Sequence, residues 1–326
     1  MLGPGVPISM TLTIAISLLA TLSGCSQSAM QKRVGEPLIV VTSTDEEEVA
    51  RGAYLTNHVA ACMSCHSERN WEIFAGPTVK GTEGAGGERW DVERGFPGIL
   101  HATNITPQAI GAWTDGELLQ AISAGKHRDG YGLFPIMPYP QYAKLTPDDA
   151  KSIVSYLRTV TPIETDAYER KLTFVLGMVA NKMPKRPEFS EPAPEGNKFE
   201  QGKYLANIAG CIHCHTPDKG KVMDENALLS GGREFKMTTG TAISPNISAD
   251  EGFGIGYWGE EDFLNKFRAF RTDAARQRDA SPTDPNSPMP WFSYAGMSDE
   301  DLSAIWIYIQ GAPKISKKIE STWIMK

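Results

Sequence analysis

The chain has 326 residues, of which 41% are hydrophobic, and a formal net charge of −7 at pH 7. This length is enough for two domains of ordinary size. The acidic balance argues against a basic surface that binds nucleic acid, so we expect no nucleic-acid partner.

The N-terminal residues 1–24 are predicted to form a lipoprotein signal peptide. An apolar run from Ile8 to Leu22 has the length of a signal-peptide core and is too short for a comfortable membrane span. It ends in Leu-Ser-Gly-Cys, which resembles the lipobox of bacterial lipoproteins. Cys25 is therefore the predicted lipidation site, although no Lys or Arg precedes the run. A plain uncleaved anchor is the alternative.

Residues 25–43 are predicted to be a flexible tether. Either form of anchor would place the bulk of the chain outside the cytoplasm. We expect a location on the periplasmic side of a bacterial membrane, held there by the lipid.

A short motif occurs twice in the chain, as Cys62-Met63-Ser64-Cys65-His66 and as Cys211-Ile212-His213-Cys214-His215. Cys-x-x-Cys-His is the attachment signature of a c-type haem. Two thiols at this spacing can reach both vinyl groups of one porphyrin, and the next histidine is held where it can bind the iron. The sequence therefore predicts two haem c groups. The covalent attachment residues are Cys62, Cys65, Cys211 and Cys214, and the proximal iron ligands are His66 and His215.

Zinc is the rival interpretation of paired cysteines. A zinc site would need its two pairs close together, and these pairs are separated by most of the chain. Each pair is also followed directly by histidine, which a zinc ribbon does not require. The sequence favours haem.

The first helix of each half leads into the haem motif. Acidic residues open the first one, over residues 45–61, which suits a helix N-terminus. Residues 197–210 are the second. The last helix of each half begins with a capping signal, at Thr146-Pro147-Asp148-Asp149 and at Ser298-Asp299-Glu300-Asp301.

The two motifs belong to a longer internal repeat. Met137-Pro138 and Tyr142 align with Met289-Pro290 and Tyr294 without a gap. Asn104-Ile105-Thr106 matches Asn246-Ile247-Ser248. Gly52-Ala53-Tyr54-Leu55 matches Gly202-Lys203-Tyr204-Leu205, with a one-residue difference in the spacing to the first cysteine. A repeat of this size indicates a duplicated domain.

We therefore predict an all-α fold of two tandem cytochrome c domains, each a small helical domain around one haem. Their expected bounds are residues 44–160 and 197–313. Residues 161–196 would connect them and include a short helix within Lys171 to Met183, and residues 314–326 would form a C-terminal tail.

The sixth iron ligands are predicted from the repeat. No histidine follows His215, so the second haem cannot have two histidine ligands unless the other half donates one. Met289 is the remaining candidate there, and it aligns with Met137 in the first half. Core packing is the other interpretation of a lone methionine. His101 and His127 are alternative distal ligands of the first haem.

Two further repeated residue pairs have open roles. Asn104 and Asn246 either bind a haem propionate or fix a loop. Trp113 and Trp258 are expected to pack near the haem.

The order of these motifs resembles the multihaem cytochrome c subunits of membrane-bound alcohol and gluconate dehydrogenases. The resemblance covers nearly all of residues 45–311 and is strongest at 104–160. It is carried by Gly52, Cys62, Asn104, Gly111, the Phe-Pro-Ile-Met-Pro-Tyr segment at 134–139, and Thr146. It implies class I-like cytochrome domains that pass electrons from a dehydrogenase subunit to quinone or a terminal acceptor. Those subunits usually carry three haems, whereas this chain has two motifs.

Three function classes follow. The leading one is a lipid-anchored dihaem carrier without substrate chemistry of its own. It would relay electrons from a dehydrogenase or quinol-oxidising donor to a cytochrome or oxidase acceptor, or serve as the electron-transfer subunit of a dehydrogenase. The second is a haem enzyme, such as a dihaem peroxidase or a thiosulfate-oxidising cytochrome. The third is a structural subunit of a respiratory complex.

Methionine ligands argue against the enzymes. A peroxidase needs an iron with an open or openable site. A thiosulfate-oxidising cytochrome would be expected to use a cysteine ligand, and none is spare.

Overall fold

The computed structural model describes residues 29–219, 222–281 and 284–325. The predicted signal peptide and Cys25 lie outside the described residues. The described chain is mostly helical, as the sequence predicted. From residue 46 onward, its α-helices in chain order are α1 (Glu46–Tyr54), α2 (Cys62–Cys65), α3 (Pro107–Ile110), α4 (Asp115–Ala124), α5 (Tyr139–Tyr142), α6 (Pro147–Leu157), α7 (Phe174–Lys182), α8 (Lys198–Ile208), α9 (Cys211–His215), α10 (Glu260–Arg268), α11 (Trp291–Tyr294) and α12 (Asp299–Gly311).

The predicted capping signals are confirmed. The Thr146 hydroxyl accepts a hydrogen bond from the Asp149 amide at 3.1 Å, at the start of α6. The Ser298 hydroxyl accepts from the Asp301 amide at the same distance, at the start of α12. Each cap satisfies one of the amides that a helix N-terminus leaves without an intrahelical partner.

The first and last helices of each half pack closely against each other, α1 against α6 and α8 against α12. A glycine stands at each crossing. A Cβ on Gly52 would lie 1.9 Å from the Ser152 carbonyl oxygen, and a Cβ on Gly202 would lie 1.8 Å from that of Ala304. Only glycine allows the two backbones to approach this closely.

A π-helical turn at Leu55–Val59 distinguishes the first half from the second. It continues α1 directly, and the Ala60 amide bonds the Leu55 carbonyl five residues back at 2.7 Å. The matching helix α8 has no such turn. One extra residue in a helix is commonly accommodated in this way. The turn therefore absorbs the one-residue difference in spacing that separates the two repeats.

The two halves contact each other through a reciprocal pair of hydrogen bonds. The Tyr54 hydroxyl donates to the Asp301 carboxylate at 2.6 Å, and the Tyr204 hydroxyl donates to Asp149 at 2.6 Å. Tyr54 aligns with Tyr204 and Asp149 aligns with Asp301 in the repeat. Equivalent residues therefore meet across the contact in both directions, as in a two-fold interface. One continuous apolar core runs through both halves.

Short antiparallel strands accompany the helices, and the sequence predicted none of them. The strands are β1 (Arg89–Trp90), β2 (Leu100–His101), β3 (Asp218–Lys219), β4 (Val222–Met223), β5 (Glu234–Lys236), β6 (Gly240–Ile243) and β7 (Trp323–Met325). Strand β5 pairs with β6, and β6 pairs with β7 in the C-terminal tail, so that Thr241 lies opposite Ile324. The other two pairs are β1 with β2 and β3 with β4.

The predicted connector contains a helix, α7, within the expected range. The segment predicted as a tether is helical over residues 29–34, and Met30 in it is fully buried. Among the described helices, none combines the length and the apolar character needed to cross a membrane.

Candidate haem sites

Each cysteine pair lies within one helical turn, in α2 and in α9. All four thiols are free. Burial raises the pKa of the Cys62 thiol and of the Cys211 thiol to about 12, so both stay protonated at neutral pH. The turn holds two thiols at one helix end, as attachment to a single porphyrin requires.

The histidine of each motif is oriented by a backbone carbonyl from a distant loop. Nδ1 of His66 lies 2.6 Å from the Thr103 oxygen, and Nδ1 of His215 lies 2.9 Å from the Pro245 oxygen. A carbonyl can only accept, so Nδ1 carries the proton and Nε2 keeps its lone pair. Burial lowers the pKa of both imidazoles, which favours the neutral form that binds metals. This arrangement is typical of a histidine iron ligand.

Asn104 and Asn246 fix the loops that carry those carbonyls. The Asn104 side chain donates to the Ile163 carbonyl at 2.7 Å and accepts from the Thr106 amide at 2.8 Å. Asn246 repeats this geometry with the Ile315 carbonyl and the Ser248 amide. Of the two roles left open by the sequence, the structure supports loop fixation.

Tyr142 and Tyr294 connect the methionine segments to the haem motifs. The Tyr142 hydroxyl donates to the Ala60 carbonyl at 2.8 Å, and the Tyr294 hydroxyl donates to the Ala209 carbonyl. Each acceptor lies two residues before the first cysteine of its motif. These two bonds hold α5 and α11 against the start of the haem motifs.

Met137 and Met289 occupy equivalent places in the repeated unit. Each is half-buried against the common core, two residues before a short helix. The Met137 carbonyl accepts from the Tyr139 amide at 2.7 Å, and the Met289 carbonyl accepts from the Trp291 amide at 2.8 Å. Met297, in contrast, is 2% exposed and is a core residue.

The histidines outside the motifs have other surroundings. The His127 ring stacks on Tyr131 with the centroids 4.2 Å apart, and it forms a T-shaped pair with Trp113 with the centroids 4.6 Å apart. Burial lowers the His127 pKa to about 4. Nδ1 of His58 bonds the Ser293 carbonyl at the contact between the halves.

The segments that lead into the two motifs each contact the methionine segment of the opposite half. Asn207, four residues before the second motif, donates to the Gln141 carbonyl at 3.3 Å. His58, four residues before the first motif, has its Nδ1 3.0 Å from the Ser293 carbonyl. The two motifs therefore lie on the same contact between the halves, although they stand far apart in the sequence.

The donor set at each site fits haem c. Each site combines two free thiols on one helical turn with an imidazole whose Nδ1 is hydrogen-bonded to a backbone carbonyl. A methionine stands at the equivalent place of each half.

Relatives of the chain point to the same cofactor. It is 28% identical to the cytochrome c subunit of a quinone-linked alcohol dehydrogenase from Gluconacetobacter polyoxogenes, over 89% of this chain and 61% of that protein. It is also 28% identical to the gluconate 2-dehydrogenase cytochrome c subunit of Pantoea cypripedii, over 83% and 61%. Both of these homologues are cytochrome c subunits of dehydrogenases.

A third relative has the length of this chain. It is a diheme cytochrome c-type protein of Cereibacter sphaeroides, 27% identical over 94% of this chain and 99% of that protein. The chain spans only about 61% of the dehydrogenase subunits named above. The chain matches no protein-family model.

Proposed function

We propose that the chain is a dihaem c-type cytochrome that relays electrons between redox proteins on the periplasmic side of a membrane. The observation that carries the proposal is the repeated site, in which Cys-x-x-Cys-His stands on a helical turn and the histidine Nδ1 is bound to a distant carbonyl. Haem c, when bound, supplies reversible one-electron chemistry.

Four cysteines would hold the two groups through thioether bonds, each formed by adding S–H across a vinyl group. His66 and His215 would supply the proximal nitrogen, and Met137 and Met289 the distal sulfur. Two cytochrome domains, at residues 44–160 and 197–313, would each enclose one site. The contacts between the halves beside both motifs support electron exchange between the two sites within one molecule.

The dehydrogenase cytochrome subunits among the relatives support a role as the electron-transfer subunit of such an enzyme. A dehydrogenase would then donate electrons, and quinone or a further cytochrome would accept them. Cys25 would carry the lipid that keeps the protein at the membrane where such partners work.

Replacing either methionine tests the distal assignment. The oxidised protein should show the red methionine-to-iron charge-transfer band. Met137→Ala and Met289→Ala should each remove the part of the band that comes from one haem. Each should also lower the reduction potential of that haem, because thioether ligation raises the potential. Met297→Ala is the matched control, since that side chain lies in the core. A band unchanged in both ligand variants would refute the assignment.

Metabolic labelling with a radioactive fatty acid tests the anchor. Label should enter the wild-type chain and be absent from Cys25→Ala. Equal labelling of the two chains would refute lipidation at Cys25.

A further inference from the structure

The connector helix α7 leaves an apolar stripe exposed. Phe174 and Val175 are 52% and 62% exposed, and Met178 and Val179 are each 40% exposed. Their spacing places all four on one side of the helix. Ala180, in contrast, is fully buried. Single exposed apolar residues are common, but a continuous stripe of them marks an interaction surface.

Basic residues stand at both ends of this stripe. Lys171 precedes the helix, and Lys182, Lys185 and Arg186 follow the stripe, all four exposed. Lys171 pairs with Glu169, so the net positive charge is concentrated at the C-terminal end. The whole chain has a charge of −7, so a basic rim here runs against its general character. An apolar helix face with a basic end fits a bilayer surface that carries anionic headgroups.

The first described residues of the chain pack beside the same helix. Met30 is buried in a cluster with Val34 and Ala124. The Arg33 guanidinium donates to the Asn181 carbonyl of α7 at 2.6 Å. The beginning of the described chain is therefore fixed to the C-terminal end of α7.

Chain length then limits how far the lipid can be from α7. Cys25 lies four residues before Ala29, which corresponds to at most about 14 Å of extended chain. This is close to the length of α7 itself, roughly 14 Å for nine residues. Acyl chains on Cys25 would bring the bilayer to the side of the molecule where α7 lies.

We propose that the α7 stripe rests on the membrane surface, with the basic residues at its C-terminal end at the headgroups of anionic phospholipids. The proposal rests on the lipidation of Cys25 proposed above. The second contact would hold the chain in one orientation, because attachment at a single point leaves a protein free to turn. A protein partner is the other occupant that such a stripe could have.

Labelling from within the bilayer tests the proposal on the full processed holoprotein. The protein is reconstituted into vesicles of phosphatidylethanolamine and phosphatidylglycerol that contain a photoactivatable carbene phospholipid, and the labelled peptides are identified by mass spectrometry. Label should concentrate in the peptide 172–182. The peptide that contains Val222, which is 69% exposed, is the internal reference.

Paired variants give the matched control. Phe174→Ser/Met178→Ser should reduce labelling of the α7 peptide to that of the reference peptide, with an unchanged haem absorption spectrum. Val222→Ser/Ile324→Ser removes two exposed apolar side chains elsewhere and should leave the labelling of α7 unchanged.

Labelling of the α7 peptide no higher than that of the reference would overturn the proposal. Cross-links from α7 to a protein in native membranes, without lipid label in vesicles, would also overturn it and identify a protein partner instead. Mass analysis of the N-terminal peptide separates the two proposals. An unacylated Cys25 with a labelled α7 refutes the anchor alone, and an acylated Cys25 with an unlabelled α7 refutes the stripe alone.

Discussion

The glycine at each helix crossing provides a sharp test of how the haem motifs are positioned. In Gly52→Ala the new Cβ would lie 1.9 Å from the Ser152 carbonyl oxygen, whereas real Cβ contacts essentially never fall below 3.0 Å. The helices α1 and α6 must therefore move apart by roughly 1 Å. Overpacking of this kind costs about 1–3 kcal/mol or more.

The effect should appear as a lower melting temperature of the holoprotein. For a domain of about 100 residues the decrease should be roughly 5–15 °C. Thermal unfolding followed by far-ultraviolet circular dichroism, together with haem absorbance, measures it. Because α1 leads directly into the first haem motif, the methionine-to-iron band of that haem should weaken at temperatures below the melting point.

Gly177→Ala is the matched control. Gly177 lies in the middle of α7, and a Cβ there would meet nothing within 4 Å. Alanine is the better helix former by up to about 1 kcal/mol, so this variant should be neutral or slightly stabilised. A Gly52→Ala protein that melts with the wild type would refute the close crossing of α1 and α6.

Three other predictions concern the contact between the halves and the turns before the motifs. Tyr54→Phe and Tyr204→Phe should each lower the free energy of unfolding by about 1–2 kcal/mol in urea titrations, because each removes a hydrogen bond to a carboxylate. Tyr257→Phe, at an exposed tyrosine, should leave the free energy of unfolding unchanged. Equal losses in all three variants would contradict the contact between the halves. Burial and the hydrogen bond to Asp301 raise the pKa of Tyr54 to about 12, above its unfolded value near 10. Its contribution to the free energy of unfolding is therefore complete below pH 10 and is lost as the pH rises toward 12. Tyr54→Phe should reduce this alkaline loss of stability, and an unchanged dependence of stability on pH would contradict the assignment. Ala61 and Gly210 each precede their motif in the left-handed conformation, with φ of 51° and 74°. Ala61→Gly should raise the melting temperature and Gly210→Ala should lower it, because each changes the free energy of unfolding by up to about 1 kcal/mol. Shifts of the same sign in the two variants would contradict backbone strain at Ala61.

Much of the helical framework could be predicted because its signals are local. The caps at Thr146 and Ser298 depend on near neighbours, and the glycines at positions 52 and 202 stand at matching places in the repeat. The connector helix α7 also lies within its predicted range. Repetition strengthened the signals of the caps and of the glycines, since equivalent residues recur at the same places in both halves.

The carbonyls that orient the two histidines could not be predicted. Thr103 and Pro245 act through backbone oxygens, which every residue possesses, so the side chains gave no signal. The pairing of β7 with β6 joins residues about eighty positions apart, and such pairing depends on the tertiary fold.

The sequence indicates which residues form the contact between the halves only in part. Tyr54 and Tyr204 occupy matching positions of the repeat, as do Asp149 and Asp301 in the caps. That each tyrosine bonds the aspartate of the opposite half depends on how the halves are arranged, which the sequence of one half does not specify.

The haem content of the purified chain tests the central claim most directly. Pyridine haemochrome analysis, combined with mass spectrometry of the peptides that contain Cys62 and Cys211, should give two haem c groups per chain, one on each peptide. One haem per chain, or one unmodified peptide, would contradict the account of two equivalent sites.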